Sequence, residues 1–342
     1  MANTRLPGGA CTPMDQEIKP WYRPAIIFPG QGSQHVGMGE RLAKASNAAR
    51  DVFRRADEVL KSPLSKLCFE GPAEELESTI NQQPATFVTS IAWLAALRER
   101  WGTMDRKVEP FMFAGHSMGE FTAAVAAGSL GFEEGLVLVK ERGILMDEAG
   151  REFPGGMASI LGLPEDQVVE ICKEASSEGY VGLATANCEG QNVISGALKP
   201  LKLAMELAEK ARARKVVRLS ITIASHSPLM SRASEGMNKL LQKLPMRDPE
   251  HPIVGNVNGE VLTTHPEVYA ELRDQLTHGV RWQKSIEKMK SHGVDLFLEA
   301  GPGNVLTRLV RRIDYSVNSL SLSDDYEGLL SANFHLVEAA AR

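Results

Sequence analysis

The chain has little cysteine. Cys11, Cys68, Cys172 and Cys188 are scattered through 342 residues without a C-x-x-C pair. That excludes a disulfide framework and a thiolate zinc site, and it fits a reducing compartment. Long apolar runs are also missing: even Phe87–Leu97 is broken by Thr89 and Ser90, far short of a bilayer span. Charge of one sign is not in excess. Lys and Arg number 38 against 43 Asp and Glu, a net charge of −5, so neither nucleic acid nor a membrane surface is an expected partner. The first residues carry Arg5, Asp15, Glu17 and Lys19 and no apolar core of a secretory leader, which points to a cytoplasmic protein. There is no internal repeat, and low complexity is confined to the Ala-rich C-terminus.

What is present is the composition of an ordinary globular protein, 43% hydrophobic and 24% charged, long enough for one large domain and a smaller one. The stretch that organises the chain is 110–128. Pro110–Ala114 has strand character, Glu120–Ala127 is made of good helix formers, and Gly115-His116-Ser117-Met118-Gly119 lies between them. A G-x-S-x-G sequence between a strand and a helix is the pattern of a nucleophile elbow. In that reading the glycines permit a sharp turn, the Ser117 hydroxyl is exposed, and the Met118 N–H with the positive helix end faces a developing oxyanion. The same residues read alternatively as a serine N-cap between two chance glycines.

Ala25–Phe28 is a buried-strand pattern, followed by the loop Pro29-Gly30-Gln31-Gly32-Ser33-Gln34. A dinucleotide fingerprint fails here, because the next glycine after Gly32 is Gly37. The loop is either a plain turn or a place where backbone N–H groups approach a bound oxygen. Helices are expected over 39–60, 73–82, Ala85–Trp101 (with Gln83-Pro84 as an interruption) and Phe132–Ala149. Arg142 in the last of these is either a surface arginine with a buried stem or a guanidinium fork facing a pocket. From Met157 to Ile221 the pattern is β-α-β-β-α-β, the order of a ferredoxin-like unit. His226 follows a strand, as Ser117 does, and open α/β sheets build sites at such strand ends. Seven other histidines compete with it, His116 among them. Further strands are expected at 252–254 and 295–299, with helices at 267–276, 282–290 and 305–313. Gly301-Pro302-Gly303 lacks the G-K-[ST] of a phosphate loop and reads as a turn.

Five segments occur in a fixed order: Phe28-Pro29-Gly30-Gln31-Gly32-Ser33-Gln34, Gly115-His116-Ser117-Met118-Gly119-Glu120, Arg142-Gly143 with Met146, Ser225-His226-Ser227 with Met230, and Glu299-Ala300-Gly301-Pro302-Gly303. Together they resemble the malonyl-CoA:acyl carrier protein transacylase family, related to the acyltransferase domains of polyketide synthases, over residues 24–315. The resemblance implies an α/β fold, with a large α/β-hydrolase-like domain holding a parallel sheet (23–152 and 219–325) and a small inserted ferredoxin-like domain (153–218). An N-terminal extension (1–22) and a C-terminal tail (326–342) flank them. It implies transfer of a malonyl group from malonyl-CoA to acyl carrier protein, for fatty acid or polyketide synthesis, with no cofactor or metal. Ser117 corresponds to the acylated nucleophile and His226 to its base, and the carbonyl orienting that base corresponds to Gln275. Gln31 and Met118 correspond to the oxyanion donors, Arg142 to the residue gripping the malonyl carboxylate, and His116 to a further substrate contact. Met118 stands where leucine is usual, and Ser225 where many malonyl-selective domains have phenylalanine, which leaves a methylmalonyl or other extender open. An acyl-thioester hydrolase is a further alternative, disfavoured by Arg142. Lys210, Arg212, Arg214 and Lys215, with Arg308, Arg311 and Arg312, are candidates for meeting an acidic carrier protein.

Overall fold

A computed structural model describes residues 23–102 and 109–323. The expected N-terminal extension and C-terminal tail lie outside the described residues. The chain runs β1 (Pro24–Phe28), α1 (Glu40–Ala45), α2 (Asn47–Leu60), α3 (Leu64–Glu70), α4 (Ala73–Leu76), α5 (Thr79–Trp101), β2 (Met112–Gly115), α6 (Gly119–Ala126) and α7 (Phe132–Glu152). It continues with β3 (Gly155–Leu161), α8 (Glu165–Ala175), β4 (Val181–Cys188), β5 (Gln191–Ala197), α9 (Leu198–Lys210) and β6 (Lys215–Arg218). The last part is α10 (Ser231–Leu241), β7 (Ile253–Val254), β8 (Val261–Leu262), α11 (His265–Asp274), α12 (Trp282–Ser291), β9 (Leu296–Glu299), α13 (Val305–Ile313) and β10 (Asn318–Ser321).

These strands form two sheets. The larger has the order β10-β9-β1-β2-β7-β8 and is parallel except for the β7–β8 pair. β1 is apolar throughout because both faces are covered. Ile26 and Phe28 pack with Phe113 and Phe121 toward α5, α6 and α7. Ala25 and Ile27 pack the other way, with Trp282 and Val310 of α12 and α13. The second sheet comes entirely from residues 155–218, has the order β4-β5-β3-β6, and is antiparallel in every pair. α8 and α9 cover it through Val168, Ile171, Leu201 and Ala204. The second sheet is tied to the segment before α12, where Val280 exchanges hydrogen bonds with β4: the Val280 N–H donates to Ala184 O (2.8 Å), and the Ala186 N–H to Val280 O (2.9 Å).

Four expectations need correction. Gln83-Pro84 does not interrupt: α5 starts at Thr79 and carries Pro84 inside it. Proline removes only the helix bond that would reach the Ile80 carbonyl, and α7 presses on this turn so closely that a Cβ on Gly143 would stand 2.7 Å from Thr79 O. The segment 39–60 is two helices, divided at Ser46, whose Oγ accepts from Ala49 N at 3.0 Å and so caps the second. The segment 73–82 divides in the same way, into α4 and the first residues of α5. The helix expected over 267–276 ends at Asp274, which leaves the carbonyl of Gln275 outside the helical ladder. α3, β8 and β10 have no counterpart in the sequence reading. Among the described residues no helix is long and apolar enough to cross a membrane.

Candidate active site

The parallel sheet brings the C-terminal ends of β1, β2, β7 and β9 to one edge. At that edge β2 turns into α6 through Ser117, which sits at φ +53°. A non-glycine residue there is strained, and such strain marks built sites. The flanking glycines have a steric cause. A Cβ on Gly115 would lie 1.9 Å from the carbonyl of Gly119, and a Cβ on Gly119 would lie 2.3 Å from Phe28 O. Asn256, just past β7, braces the turn. Its Oδ1 accepts from Ser117 N (2.7 Å), and its Nδ2 donates to Gly115 O (2.7 Å).

His226 also has a positive φ, +59°, and its Nε2 lies 2.8 Å from Ser117 Oγ. Its Nδ1 faces the carbonyls of Gln275 (2.9 Å) and His278 (3.1 Å). Two acceptors require the hydrogen on Nδ1, which leaves Nε2 with a free lone pair toward the serine. Burial, then the Arg142 charge, pushes the imidazole down to about 3, so it is neutral and able to accept a proton.

Arg142 is 1% exposed, although its helix is otherwise amphipathic. Nη1 donates to Gln83 Oε1 (2.8 Å), and Nη2 donates to Gln275 Oε1 (2.7 Å) and to Ser117 Oγ (3.1 Å). The guanidinium carbon stands 5.8 Å from the Phe121 ring centre. Burial lowers its pKa to about 10, with Glu120 opposing, so the group is a cation at neutral pH. It is a fixed fork beside a hydroxyl.

The loop after β1 packs onto the elbow, where a Cβ on Gly30 would stand 2.5 Å from His116 O. Gln31 follows directly in this loop. From below, Glu299 accepts from Leu306 N (3.1 Å) and Thr307 N (2.7 Å) at the start of α13. A Cβ on Gly301 would lie 2.5 Å from Pro29, so the Glu-Ala-Gly-Pro-Gly segment supports this loop. Met118 is buried. His116 points to the second sheet: its Nε2 meets Asn187 Oδ1 at 2.9 Å and its ring lies 5.5 Å from that of Trp282. Its pKa is lowered by burial.

Ser117, His226, Arg142 and Gln275 are thus gathered by hydrogen bonds, with His116 next to Ser117 in the chain and Gln31 in the loop that packs on the elbow through Gly30. The sequence reading missed Gln83, Glu120, Asn187, Asn256 and Glu271. Gln83 had a signal, since a glutamine pair in an otherwise apolar helix has to face something polar.

A family model described as acyl transferase domain matches residues 25–321. The malonyl CoA-acyl carrier protein transacylase of Bacillus subtilis (strain 168) is 40% identical over 301 residues, 88% of this chain and 93% of that protein. Among solved structures, the malonyl CoA-acyl carrier protein transacylase of Coxiella burnetii superposes with a TM-score of 0.88 at 32% identity, over 95% of this chain and 99% of that one. A malonyl-transacylase solved in complex with a type II polyketide synthase acyl carrier protein superposes at 0.84 with 33% identity, over 93% and 99% of the two chains.

Proposed function

The chain belongs to the acyl transferase family, and we propose that it moves a malonyl group from malonyl-CoA to the phosphopantetheine thiol of an acyl carrier protein through an ester on Ser117. The observation that carries this reading is the buried Arg142 fork, 3.1 Å from the Ser117 hydroxyl. A fixed cation beside the nucleophile suits an acyl group with a carboxylate at its far end, and an unsubstituted acyl chain would leave it unpaired.

In the first half-reaction His226 Nε2 takes the Ser117 proton as Oγ bonds to the thioester carbonyl carbon. The oxyanion faces the N–H groups of Gln31 and Met118. The C–S bond then breaks, and the departing sulfur takes the proton from Nε2. In the second half-reaction the carrier thiol gives its proton to Nε2, and its sulfur attacks the Ser117 ester. The tetrahedral carbon expels Oγ, which recovers the proton. Thioester is exchanged for thioester, so a reversible ester and one oxyanion site suffice. The Nδ1–H is held by carbonyl dipoles rather than by a carboxylate, so the imidazolium formed has no counter-charge of its own from that side. The malonyl carboxylate supplies one indirectly by pairing with Arg142, whose charge otherwise opposes protonation of His226.

We read the β-α-β-β-α-β segment 153–218 as a ferredoxin-like insert in an α/β-hydrolase-like domain. Its strand order, antiparallel pairing and two covering helices support this. The test of function is product identity. Malonyl-CoA labelled in the acyl group is given to the enzyme with a holo carrier protein. Label on the carrier, passing through Ser117, supports the transferase, and label released as free malonate assigns a hydrolase.

A further inference from the structure

Behind Arg142 lies a buried polar chain that the transfer mechanism does not use. Glu120, the first acidic residue of α6, is 2% exposed. Its Oε1 accepts from Asn256 N at 2.7 Å, and its Oε2 from Gln275 Nε2 at 2.7 Å. Glu271 on α11 lies beside it, and the two carboxyls share one backbone donor. Glu271 Oε1 accepts from the same Asn256 N (2.6 Å) and from Val257 N (2.7 Å). A buried carboxyl with a second carboxyl beside it favours its protonated form and can share that proton with its neighbour. Burial, with Glu271 beside it, pushes the Glu120 carboxyl well above the usual carboxylate range. The charged groups acting on Glu120 are Glu271 from α11 and Arg142 from α7; α5 contributes the neutral Gln83 amide to the same cluster.

The geometry points to the pair Glu120–Glu271 as the positioning device of the carboxylate fork, with one shared proton on Glu120 and the Gln275 amide as the link to Arg142. With its proton turned toward Glu271, Glu120 presents Oε2 to Gln275 as an acceptor and so fixes which end of that amide faces it. Nε2 turns toward Glu120 and toward Ser117 O (3.1 Å), which aims Oε1 at Arg142 Nη2 (2.7 Å). This inference rests on the reading of Arg142 as the malonyl grip.

Its test compares Glu120→Met with Glu120→Gln in the full chain. Methionine fills the space and offers Gln275 no oxygen; glutamine offers Gln275 an oxygen and Glu271 an N–H. Glu120→Met is expected to raise the KM for malonyl-CoA about tenfold or more, since small misplacements of a positioning group are costly. Acylation of Ser117 by p-nitrophenyl acetate, which has no carboxylate, should fall by a clearly smaller factor in the same protein. Glu120→Gln is expected to recover most of the malonyl loss. Equal damage to both acyl donors in Glu120→Met would overturn the inference in favour of a plain structural role. A Glu120→Gln enzyme as impaired as Glu120→Met would overturn the assignment of the proton. Should the methionine variant fail to fold, infrared spectra decide. A protonated-carboxyl band at neutral pH that disappears in Glu120→Gln supports the shared proton, and its absence from the parent overturns it. Arg142→Ala in the same series separates the two readings, because malonyl preference surviving that change refutes the grip itself.

Discussion

Arg142 donates from Nη2 to the Oγ of Ser117 at 3.1 Å. The cation that would read one end of the acyl group therefore touches the hydroxyl that would take the other. A malonyl group is short enough for both contacts at once, with its carboxylate on the guanidinium and its carbonyl carbon on Oγ. Selection and chemistry then occur at one place, and they can be separated by mutation.

Arg142→Ala should lower kcat/KM for malonyl-CoA about a hundredfold or more, the scale expected when a charged hydrogen-bonding partner is lost from a built polar site. Transfer from acetyl-CoA should rise, because the same change removes a charge that disfavours protonation of His226. Steady-state rates with the two donors and one carrier protein measure the ratio. A malonyl preference unchanged in the mutant contradicts the proposal.

The pH dependence follows from His226. Its folded pKa is lowered from 6.5 to about 3 by burial and then by Arg142. A lowered histidine pKa keeps the base neutral as pH falls, so the acid limb of kcat/KM should lie well below 6.5. In Arg142→Ala it should move upward. Stability has the matching sign: the unfolded chain binds this proton and the folded one does not, so His226 removes stability as pH falls from about 6.5 toward 3. A wild-type acid limb at 6.5 or above would refute the assignment.

Gly119→Ala places a Cβ 2.3 Å from Phe28 O and 3.0 Å from Pro29 O, both main-chain atoms of the β1 strand and its loop. Main chain cannot swing aside as a side chain can. The substitution should cost about 3 kcal/mol or more, the range of severe backbone conflicts, and abolish acylation of Ser117. The midpoint of urea unfolding measures the first effect, and burst acylation the second.

The exposed side chains of Arg212, Arg214 and Lys215 at the end of the second sheet suit an acidic carrier protein. Arg311 suits it less, because its guanidinium is tied to Ser319 by Nε to Oγ (3.2 Å) and Nη2 to O (2.9 Å). Replacing Arg212 and Arg214 together with glutamate should raise the KM for the carrier about five- to tenfold, chiefly through slower association. The KM for malonyl-CoA should stay as it was. A change in both constants would place the patch at the shared acyl site instead.

Much of this site was legible in the sequence because its backbone demands are severe. Only glycine fits at 115 and 119, so the elbow announces itself. Gln275 could be matched as the carbonyl behind His226, although nothing in its own residue type pointed there: a carbonyl belongs to every residue, and this one is exposed by the end of α11 rather than by any side chain. Pro84 misled for the opposite reason. Its local preference for ending a helix was outweighed by packing of α5 on α7, and the polar residue hidden with it, Gln83, was lost from view. Glu120 and Glu271 look in the sequence like ordinary helix acids. The burial of Glu120 comes with tertiary contacts to segments some 150 residues away, which periodicity cannot register.

The placement of β1 has a temporal consequence. That strand is among the first described residues to be synthesised, yet its parallel neighbours are β2 and β9, and β9 ends at Glu299. The loop bearing Gln31 leans on Pro29 against Gly301, and Glu299 fastens the helix beneath it. A ribosome must therefore pass Glu299 before the loop bearing Gln31 can settle. On the role proposed for Gln31, a nascent chain that already carries Ser117, Arg142 and His226 still lacks its oxyanion loop until β9 has been made.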